Sequence, residues 1–370
     1  MVYCTVTNDL NQDRRMRRIG EALIKNGWPF TLIGRIKRDS IDLNNAPFEQ
    51  RRLSCFFQRG PIFYLEMNLR LFIVLMIHRP EIVYSVDLDT LCAGVLYKKL
   101  LGGRLIFDAH EYFEEVPELS DRPVIRRIWE LVAKWGIPQA DLAITVGDAL
   151  AEELRKKYQT DFKVIRNTRN RPEWNVKAKK FSVPFRMIYL GMYNPGRGLE
   201  ELIEALTSLK ECELWLAGSG PLEEKLKQLA VERKVYHRVI FNDFLTGQKI
   251  EEFIADGCLG CNLLHTESQS YYYSLANKTF DYMQFGLPAI HMDLPEYQAI
   301  HQKYDCLILL KNLSPNAIVE KVKALMKDKS RYHTLSKNNL IAREDFQWEK
   351  EVKFLIEEMK KLSAPGTTSI

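Results

Sequence analysis

The most informative stretch of the chain is Tyr273-Ser-Leu-Ala-Asn-Lys-Thr-Phe-Asp-Tyr-Met-Gln-Phe-Gly-Leu-Pro-Ala-Ile290. Its pattern predicts a loop, then a short amphipathic helix, then a Gly-Leu-Pro turn that leads into an apolar strand. A helix N-terminus has unpaired backbone N–H groups and the positive end of the helix dipole, so it favours a diphosphate. Lys278 adds a cation there, and Asp281 lies about one turn further on. A cation for phosphate beside a carboxylate for hydroxyl groups is typical of a nucleotide-sugar site.

This segment resembles the donor-binding segment of family 4 retaining glycosyltransferases, which have the GT-B fold. In that family a Glu-x7-Glu pattern places one acid near the donor sugar and a second acid on the nucleotide ribose. The matching positions here are Tyr273 and Asp281, so the first acid is absent and the second is one methylene shorter. The resemblance assigns the donor to the residues between them, Ser274, Leu275, Ala276 and Asn277. The alternative is an ordinary core helix with Phe280 and Met283 facing inward.

Length and composition indicate the number of domains and the class of protein. The chain has 370 residues, which is too long for one common domain and fits two. Hydrophobic residues make up 46% and charged residues 27%, as in a soluble globular protein. The longest apolar run, residues 69–77, includes Arg70 and is far too short to span a membrane. Because the first residues also lack a signal-peptide pattern, we expect a cytoplasmic protein, with the inner face of the membrane as a second location.

The cysteines do not indicate a metal site or a disulfide framework. There are seven, an odd number without regular spacing, so reduced thiols are the simplest interpretation. Cys258 and Cys261 have the spacing of a zinc knuckle, but no second pair lies at a suitable distance. They fall in a predicted buried strand, where residues three apart point to opposite faces.

The formal net charge is +5, and the excess is concentrated near the start of the chain. The basic residues there are Arg14, Arg15, Arg17, Arg18, Arg35, Lys37, Arg38, Arg51 and Arg52. Such a cluster is consistent with contact with an anionic membrane or a phosphate-bearing acceptor. A solvated helix face with loop charges explains it equally well. We expect no nucleic-acid partner, since no binding motif for one is present.

Strand and helix patterns alternate along the whole chain, which predicts parallel α/β sheets. The predicted fold is α/β, with two Rossmann-like parallel-sheet domains facing across a cleft, the GT-B plan. The polar segment 168–184 contains two prolines and no apolar periodicity, so it is the best candidate linker. The predicted domains are an acceptor-side domain at 1–170, a linker at 171–184, a donor-binding domain at 185–345, a helix at 346–362 that packs back over the linker, and a disordered tail at 363–370.

Candidate residues in the first half follow predicted strands, where side chains project from a sheet edge. In the family that this chain resembles, a histidine after such a strand lies near the donor sugar and the acceptor. His110, in Asp108-Ala-His-Glu111, matches that position, with a purely structural histidine as the alternative. Asp9 and Asp13 follow the first strand and, with Glu111, are predicted to face the acceptor. Helix capping by Asp13 is an equally good explanation of its position.

Candidate residues in the second half lie in glycine-containing loops after strands. Gly191-Met-Tyr-Asn-Pro-Gly-Arg197-Gly198 joins a predicted strand to a helix, and its glycines allow close approach of a ligand. Arg197 matches one of the two basic groups that the family places on the diphosphate. The earlier basic position, near Met192, is not basic here, and we expect Lys278 to compensate. Gly218-Ser-Gly220 resembles the loop beneath the nucleotide, although a simple turn explains it as well.

Two further motifs favour other functions. Asp87-Leu-Asp89 matches the metal-binding Asp-x-Asp of single-domain GT-A enzymes, because two carboxylates on one turn can hold a divalent cation. The two-domain pattern argues against that assignment, and we expect no metal. Trp129 and Trp135 lie with cations on a predicted helix, which is typical either of a membrane-interface helix or of a core helix with a charged outer side.

The resemblance implies a retaining glycosyltransferase of the hexosyltransferase type. It would move a sugar from a nucleotide-diphosphate sugar to a glycan or lipid-linked acceptor in cell-surface polysaccharide synthesis. We expect Arg197, Lys278 and the backbone at 274–276 to neutralise the departing diphosphate without a cofactor. His110 would contact the donor sugar or the acceptor. Two alternatives remain: a nucleotide-sugar 2-epimerase on the same fold, and a catalytically weak protein that binds a nucleotide sugar or a partner.

Overall fold

The computed structural model describes residues 1–363 except Gln12 and Asp39, with the backbone alone at Glu118. Two compact units are present: Met1–Asn167 together with the chain from Glu351 onward, and Thr168–Lys350. Each has its own parallel sheet, as the alternating pattern predicted. The segment expected to be the linker, 171–184, contains no helix or strand and belongs to the second unit. The predicted tail lies, from residue 364, outside the described residues.

The first unit is built on a seven-stranded parallel sheet with the order β3-β2-β1-β4-β5-β6-β7. Its strands are β1 (Val2–Thr5), β2 (Phe30–Arg35), β3 (Glu49–Leu53), β4 (Ile82–Val86), β5 (Arg104–Ala109), β6 (Leu142–Thr145) and β7 (Phe162–Val164). The helices that connect them are α1 (Arg14–Lys25), α2 (Pro61–His78), α3 (Asp87–Leu101), α4 (Pro123–Gly136) and α5 (Asp148–Tyr158). The central strands β1 and β4 are buried along their whole length, which is why they read as continuous apolar runs.

The second unit contains a six-stranded parallel sheet with the order β10-β9-β8-β11-β12-β13. Its strands are β8 (Phe185–Leu190), β9 (Cys212–Ala217), β10 (Val239–Asn242), β11 (Leu259–Asn262), β12 (Ala289–Met292) and β13 (Leu307–Leu310). Its helices are α6 (Leu199–Ala205), α7 (Glu223–Glu232), α8 (Gln248–Asp256), α9 (Gln269–Tyr272), α10 (Asn277–Gln284), α11 (Pro295–Tyr304), α12 (Pro315–Lys327) and α13 (Lys329–Ala342). The last helix of the chain, α14 (Trp348–Ser363), starts here and passes into the first unit.

Helix α14 is anchored in the first unit by its charged and apolar residues. The Glu351 carboxylate accepts a hydrogen bond from the Arg166 backbone N–H at 2.9 Å and lies 3.5 Å from the Arg166 guanidinium. Glu358 and Leu362 line a shallow cavity with Lys98 and Arg104 of the same unit. Thus the first unit is discontinuous in sequence, whereas the second is a single uninterrupted segment.

Helix α2 is longer than the apolar run that was considered as a membrane span. Among the described residues, α2 is the one helix long and apolar enough to cross a bilayer by length and composition, with a mean hydropathy of 1.4. The run at 69–77, which includes Arg70, is too short by itself, but the helix also includes the apolar residues before Glu66. Met67 and Leu71 pack inside the first unit. Most of α2 is not buried, however, and its outer face is exposed to solvent.

Candidate functional site

The candidate residues of the second unit gather where its strand order reverses. In the sheet, β8 lies between β9 and β11, so the chain turns in opposite directions after β8 and after β11. Ligands of open α/β sheets bind at the carboxyl ends of strands at such a switch point. The loop 191–198 follows β8, and the loop 263–276 follows β11. The two predicted donor segments are therefore neighbours in the structure.

Lys278 connects the two segments. It lies in the first turn of α10, and its ammonium group sits 3.6 Å from the centre of the Tyr189 ring at the end of β8. A Cβ added to Gly191 would be 3.5 Å from Lys278 Nζ, so the glycine leaves the amine open to the loop. The amine thus lies beside the loop in which the family's earlier basic group was expected and not found.

Arg197 supplies a second cation to the same part of the unit. Its guanidinium stacks 4.6 Å from the centre of the Tyr271 ring, which lies in α9. Tyr271 also donates a hydrogen bond to the carbonyl of Pro195, which holds the loop against α9. Within the described residues, neither Arg197 nor Lys278 forms an ion pair with a carboxylate.

The electrostatics of Lys278 reflect this lack of a counter-charge. Burial, and next the positive charge of Arg197, lower the pKa of Lys278 well below its ordinary value. Cys261 and Asp281 act in the opposite direction but are outweighed. An anion bound between the two cations would remove their repulsion and favour the charged amine. The arrangement suits a ligand that carries concentrated negative charge.

The glycine loop after β9 packs against the loop after β8. Gly218 has φ +152°, and a Cβ there would lie 2.0 Å from the Gly191 carbonyl oxygen. The backbone N–H of Tyr193 donates to the Ser219 carbonyl at 2.8 Å, which joins the two loops. A Cβ on Gly220 would lie 2.6 Å from the backbone nitrogen of Tyr193. These glycines are required by close contact between two loops, not by a simple turn.

Hydrogen bonds hold the segment before α10 in place. Tyr297 accepts a hydrogen bond from the Ala276 backbone N–H at 3.2 Å and another from the Asn262 side chain at 2.9 Å. Leu275 is buried, and the Ser274 hydroxyl donates to the Tyr271 carbonyl at 3.0 Å. No side chain caps α10, which begins at the exposed Asn277. Tyr273 ends α9 with its ring edge-on to that of Tyr272 at 5.0 Å.

Asp281, the predicted ribose acid, lies in a charged chain within the second unit. Its carboxylate is 3.4 Å from Arg169 Nη1, and Arg169 Nη2 is 2.7 Å from Glu251. Asp281 keeps a quarter of its side chain exposed, so a ligand can reach it. Arg169 also lies over the face of Phe285. This arginine holds the Asp281 carboxylate in place.

The first unit has a separate cluster at the carboxyl ends of β1, β4 and β5, which are adjacent in its sheet. At its base, the fully buried Asp108 makes two hydrogen bonds of 3.1 Å with Arg15 and one of 2.7 Å with the Tyr84 hydroxyl. Nε2 of His110 lies 3.3 Å from Asp108. Burial alone would raise the pKa of Asp108, but Arg15 and then His110 lower it far below its usual range. Asp108 is therefore ionised and organises the cluster.

His110 sits between Asp108 and the acids after β4. Its backbone N–H donates to Asp87 at 2.9 Å. Burial opposes protonation of the ring, but the charges of Asp108 and Asp87 raise the pKa of His110 to about 9. Burial raises the pKa of Asp87 to about 8 and that of Asp89 to about 7. The raised pKa favours the imidazolium form of His110, in which both ring nitrogens carry a proton.

The Asp87-Leu-Asp89 motif opens α3 and does not form the turn that the sequence pattern indicated. Asp89 accepts a hydrogen bond from the Thr7 hydroxyl. No group of three or more metal-ligating side chains occurs in the described part of the chain.

The acceptor-side candidates have partners inside the first unit. Asp9 is buried and forms a 2.8 Å ion pair with Arg52. Asp13 caps α1 by accepting the Met16 backbone N–H at 3.0 Å. Glu111 is exposed beside His110. Asp9 and Asp13 therefore hold the loop after β1 in shape, while Glu111 is the more accessible of the three.

Sequence reasoning missed the residues that support the site. Tyr189 ends a strand that was predicted correctly, but nothing in its pattern marks it as the partner of a cation. Arg169 lies in a polar stretch that read only as a linker. The aromatic run Tyr271-Tyr272-Tyr273, next to the predicted donor helix, was the one available signal for a stacking surface around Arg197.

Two family descriptions, each matching about half of the chain, together cover most of it. Residues 170–342 match "Glycosyl transferases group 1", and residues 12–170 match "Glycosyltransferase Family 4". A curated relative, the lipopolysaccharide core biosynthesis glycosyltransferase LpsD of Rhizobium meliloti (strain 1021), is 32% identical over 103 residues. That match covers 27% of this chain and 30% of the length of the relative.

Solved structures with the same architecture cover the full chain. Sucrose-phosphate synthase from Thermosynechococcus elongatus has a TM-score of 0.82 at 16% identity, with 99% of each chain covered. Anabaena HepE, solved in complex with UDP and glucose, has a TM-score of 0.74 at 14% identity. That alignment covers 97% of this chain and 99% of HepE. At these identities the similarity shows the fold alone, and it agrees with the two-sheet architecture expected from the sequence.

Proposed function

Because this chain belongs to the group 1 glycosyl transferases of family 4 and has the GT-B fold, we propose that it transfers a sugar from a nucleotide-diphosphate sugar with retention of configuration. The acceptor is a glycan or a lipid-linked glycan in cell-surface polysaccharide synthesis. The relative that acts in lipopolysaccharide core biosynthesis supports this acceptor class. The reaction takes place in the cytoplasm, at the inner face of the membrane.

One observation carries the assignment of the donor site. Lys278 lies against the Tyr189 ring at the end of β8, Arg197 lies in the loop that follows β8, and neither forms an ion pair with a carboxylate among the described residues. A diphosphate supplies the missing negative charge. During transfer its charge grows as the sugar bond breaks, and fixed cations stabilise that change most strongly. Two protein cations at this position support leaving-group departure without a metal.

The remaining residues have distinct proposed roles. Asp281, held by Arg169, accepts hydrogen bonds from the ribose hydroxyls. Imidazolium His110 donates a hydrogen bond to the transferred sugar or to the acceptor. With no carboxylate nucleophile assigned, the acceptor attacks from the face that the diphosphate leaves, and the diphosphate accepts the acceptor proton.

Thermal unfolding in the presence of UDP, GDP, ADP or CDP, each with and without EDTA, tests the donor site. A ligand that binds only the folded state raises the unfolding temperature, and the effect grows with the logarithm of its affinity and concentration. We expect one diphosphate to stabilise the chain equally with and without EDTA. Stabilisation that EDTA abolishes would contradict metal independence, and no stabilisation by any of them would contradict the donor site. Binding without transfer or slow donor hydrolysis would favour a catalytically weak binding protein.

A further inference from the structure

Exposed apolar side chains are concentrated on one helical layer of the first unit. More than half of the exposed large apolar residues of the described chain lie on α2, α3, α4 or the loop before α2. On α2 they are Ile62, Leu65, Leu69, Ile73 and Ile77. On α3 they are Leu96, Leu100 and Leu101, and on α4 they are Val124, Ile128, Leu131 and Trp135. In the second unit such residues are fewer and scattered, so the concentration of exposed apolar residues is specific to this layer of the first unit.

The exposed residues of α2 and α4 are spaced to form stripes. Steps of three or four residues place them on one side of each helix. Helix α2 is apolar on two sides, with Glu66, Asn68 and Arg70 between them, although only the side with Met67, Leu71 and Leu75 is buried. Its outer stripe, from Ile62 to Ile77, is ~22 Å long at the α-helical rise. An apolar stripe along a helix is normally covered by another element or by a partner.

The three helices lie side by side, so the stripes form one surface, which we call the α2–α4 surface. The Asn68 side chain of α2 donates to the Asp89 carbonyl at 2.7 Å and accepts the Ala93 N–H at 3.0 Å, both in α3. On the other side of α3, Lys99 lies 5.2 Å from the centre of the Trp135 ring of α4. Contiguous apolar patches of this extent on soluble proteins mark interaction sites.

The exposed charged side chains within the three helices are all basic. Every residue of α2, α3 and α4 is described, and the exposed charged residues on these helices are Lys99, Arg127 and Lys134. At the helix ends, Arg59, Arg79 and Arg122 are also exposed, together with the acids Glu81 and Asp121. The acids Glu66 and Glu130 are more buried and are paired with arginines. Apolar stripes with a cationic rim match a bilayer that has anionic headgroups.

The loop before α2 extends the same surface. Phe56 is 86% exposed and Phe57 is 49% exposed, yet both are held in place. The Glu66 carboxylate accepts their backbone N–H groups at 2.9 and 3.0 Å, and Arg70 stacks on the Phe56 ring. A hydrogen-bonded loop that keeps two aromatic rings in water is suited to inserting them into the lipid interface.

We propose that the α2–α4 surface docks the protein on an anionic lipid bilayer, with α2 lying in the plane of the interface. A second copy of the chain is a poorer occupant, because a symmetric dimer would bring the same cationic rims together. The basic cluster near the N-terminus is also a poorer docking site. Within the first unit, Arg15 and Arg52 are buried in ion pairs and Arg51 is paired with Glu49.

Vesicle flotation of the full chain tests the proposal. We expect binding to vesicles of phosphatidylcholine mixed with phosphatidylglycerol and much weaker binding to phosphatidylcholine alone. The triple variant Leu65→Glu, Leu69→Glu, Ile73→Glu should reduce binding by at least about tenfold, since it removes inserted apolar area and adds repelled charge. Val231→Glu is the matched control, because Val231 is an equally exposed aliphatic residue of the second unit. Arg127→Gln with Lys134→Gln should weaken binding only to the anionic vesicles.

Several outcomes would overturn the proposal. They are failure of the natural chain to bind anionic vesicles, binding by the triple variant at the natural level, and a dimer in solution that the triple variant dissociates. The single variant Leu69→Glu repeats the test if the triple variant unfolds at a lower temperature. Docking does not depend on the proposed reaction. Stabilisation by a nucleoside diphosphate, measured on the same samples, tests that reaction separately, because the α2–α4 surface contains none of the donor-site residues.

Discussion

At the scale of single residues, the second unit keeps two cations without a carboxylate partner among the described residues. A charge held away from water without a partner destabilises the fold, and it persists where a ligand supplies the counter-charge. For Lys278 the neighbour that matters is another cation, Arg197. The empty protein therefore favours the neutral amine at Lys278, and the diphosphate that we propose would favour its protonated form.

Lys278→Met should separate binding from stability. The methionine keeps much of the side-chain stem but removes the charge, so UDP, or whichever diphosphate stabilises the natural chain, should bind about 10–100-fold more weakly, as expected for the loss of a charged hydrogen bond. The free variant should unfold at the same temperature or higher, because a desolvated cation is gone. Calorimetric titration and thermal unfolding measure both. Lys337→Met, at an exposed position on α13, is the control, and equal binding by both variants would remove Lys278 from the site.

His110 gives a prediction for pH. Its pKa is raised from 6.5 to about 9, so its stabilising contribution is complete below pH 6.5 and is lost as the pH rises through 9. The shift corresponds to at most about 3 kcal/mol. His110→Gln should therefore be less stable than the natural chain at pH 6.5, and the difference should shrink towards pH 9. Thermal unfolding across this range is the measurement. A difference that does not change with pH, or an equal effect of His237→Gln at an exposed position, would contradict it.

Sequence reasoning found the residues that act on the ligand better than those that hold them. Lys278, Arg197 and the loop glycines stood in recognisable motifs, and the structure brings them together. Arg15 was predicted only as part of a basic cluster, yet it pairs with Asp108, which lies 93 residues away. Pairs of this kind depend on the fold, so no local pattern reveals them.

At the scale of elements, the loops after β8 and β9 depend on the absence of side chains. Gly218→Ala combines a positive φ with a Cβ 2.0 Å from a carbonyl oxygen, so it should lower the free energy of unfolding by about 3 kcal/mol or more. It should also weaken diphosphate binding by moving the Gly191 loop. Denaturant unfolding and titration test both effects.

Gly27→Ala provides the control for backbone strain. Gly27 also has a positive φ, +83°, but a Cβ there would meet no atom within 4 Å. Its replacement should lower the free energy of unfolding by only about 1–2 kcal/mol. Equal losses in the two variants would mean that the contact between the two loops has no energetic role.

Strands with continuous apolar runs were predicted well, and charged elements were not. Strands β4, β8, β12 and β13 are largely apolar, and such runs predict buried strands. Strand β3 has the sequence Glu-Gln-Arg-Arg-Leu, which shows no apolar alternation, and it exists because it pairs with β2 at the sheet edge. Tertiary pairing overrides local propensity at such edges.

At the scale of the whole molecule, the two units differ in whether they are formed by one segment of the chain or by two. The second unit is one continuous segment, whereas the first includes α14, which begins beyond the second in sequence. A chain ending at Lys350 should therefore lose stability in the first unit, since it lacks Glu351 beside Arg166 and the buried Leu355 and Met359. Calorimetry should show one transition at a lower temperature, while stabilisation of the second unit by a diphosphate persists. Unchanged unfolding would contradict this role of α14.

The same discontinuity determines the order in which the protein can be completed during synthesis. Domains fold as units while the ribosome delivers the chain from its N-terminus. Here the unit made first waits for residues that follow the whole second unit, because Glu351 must reach the Arg166 backbone before the first sheet has all its packing partners. The nucleotide-binding half is finished earlier, although its codons come later. A pause in translation just before α14 would leave a nascent chain able to hold its donor but not yet able to complete the unit that meets lipid.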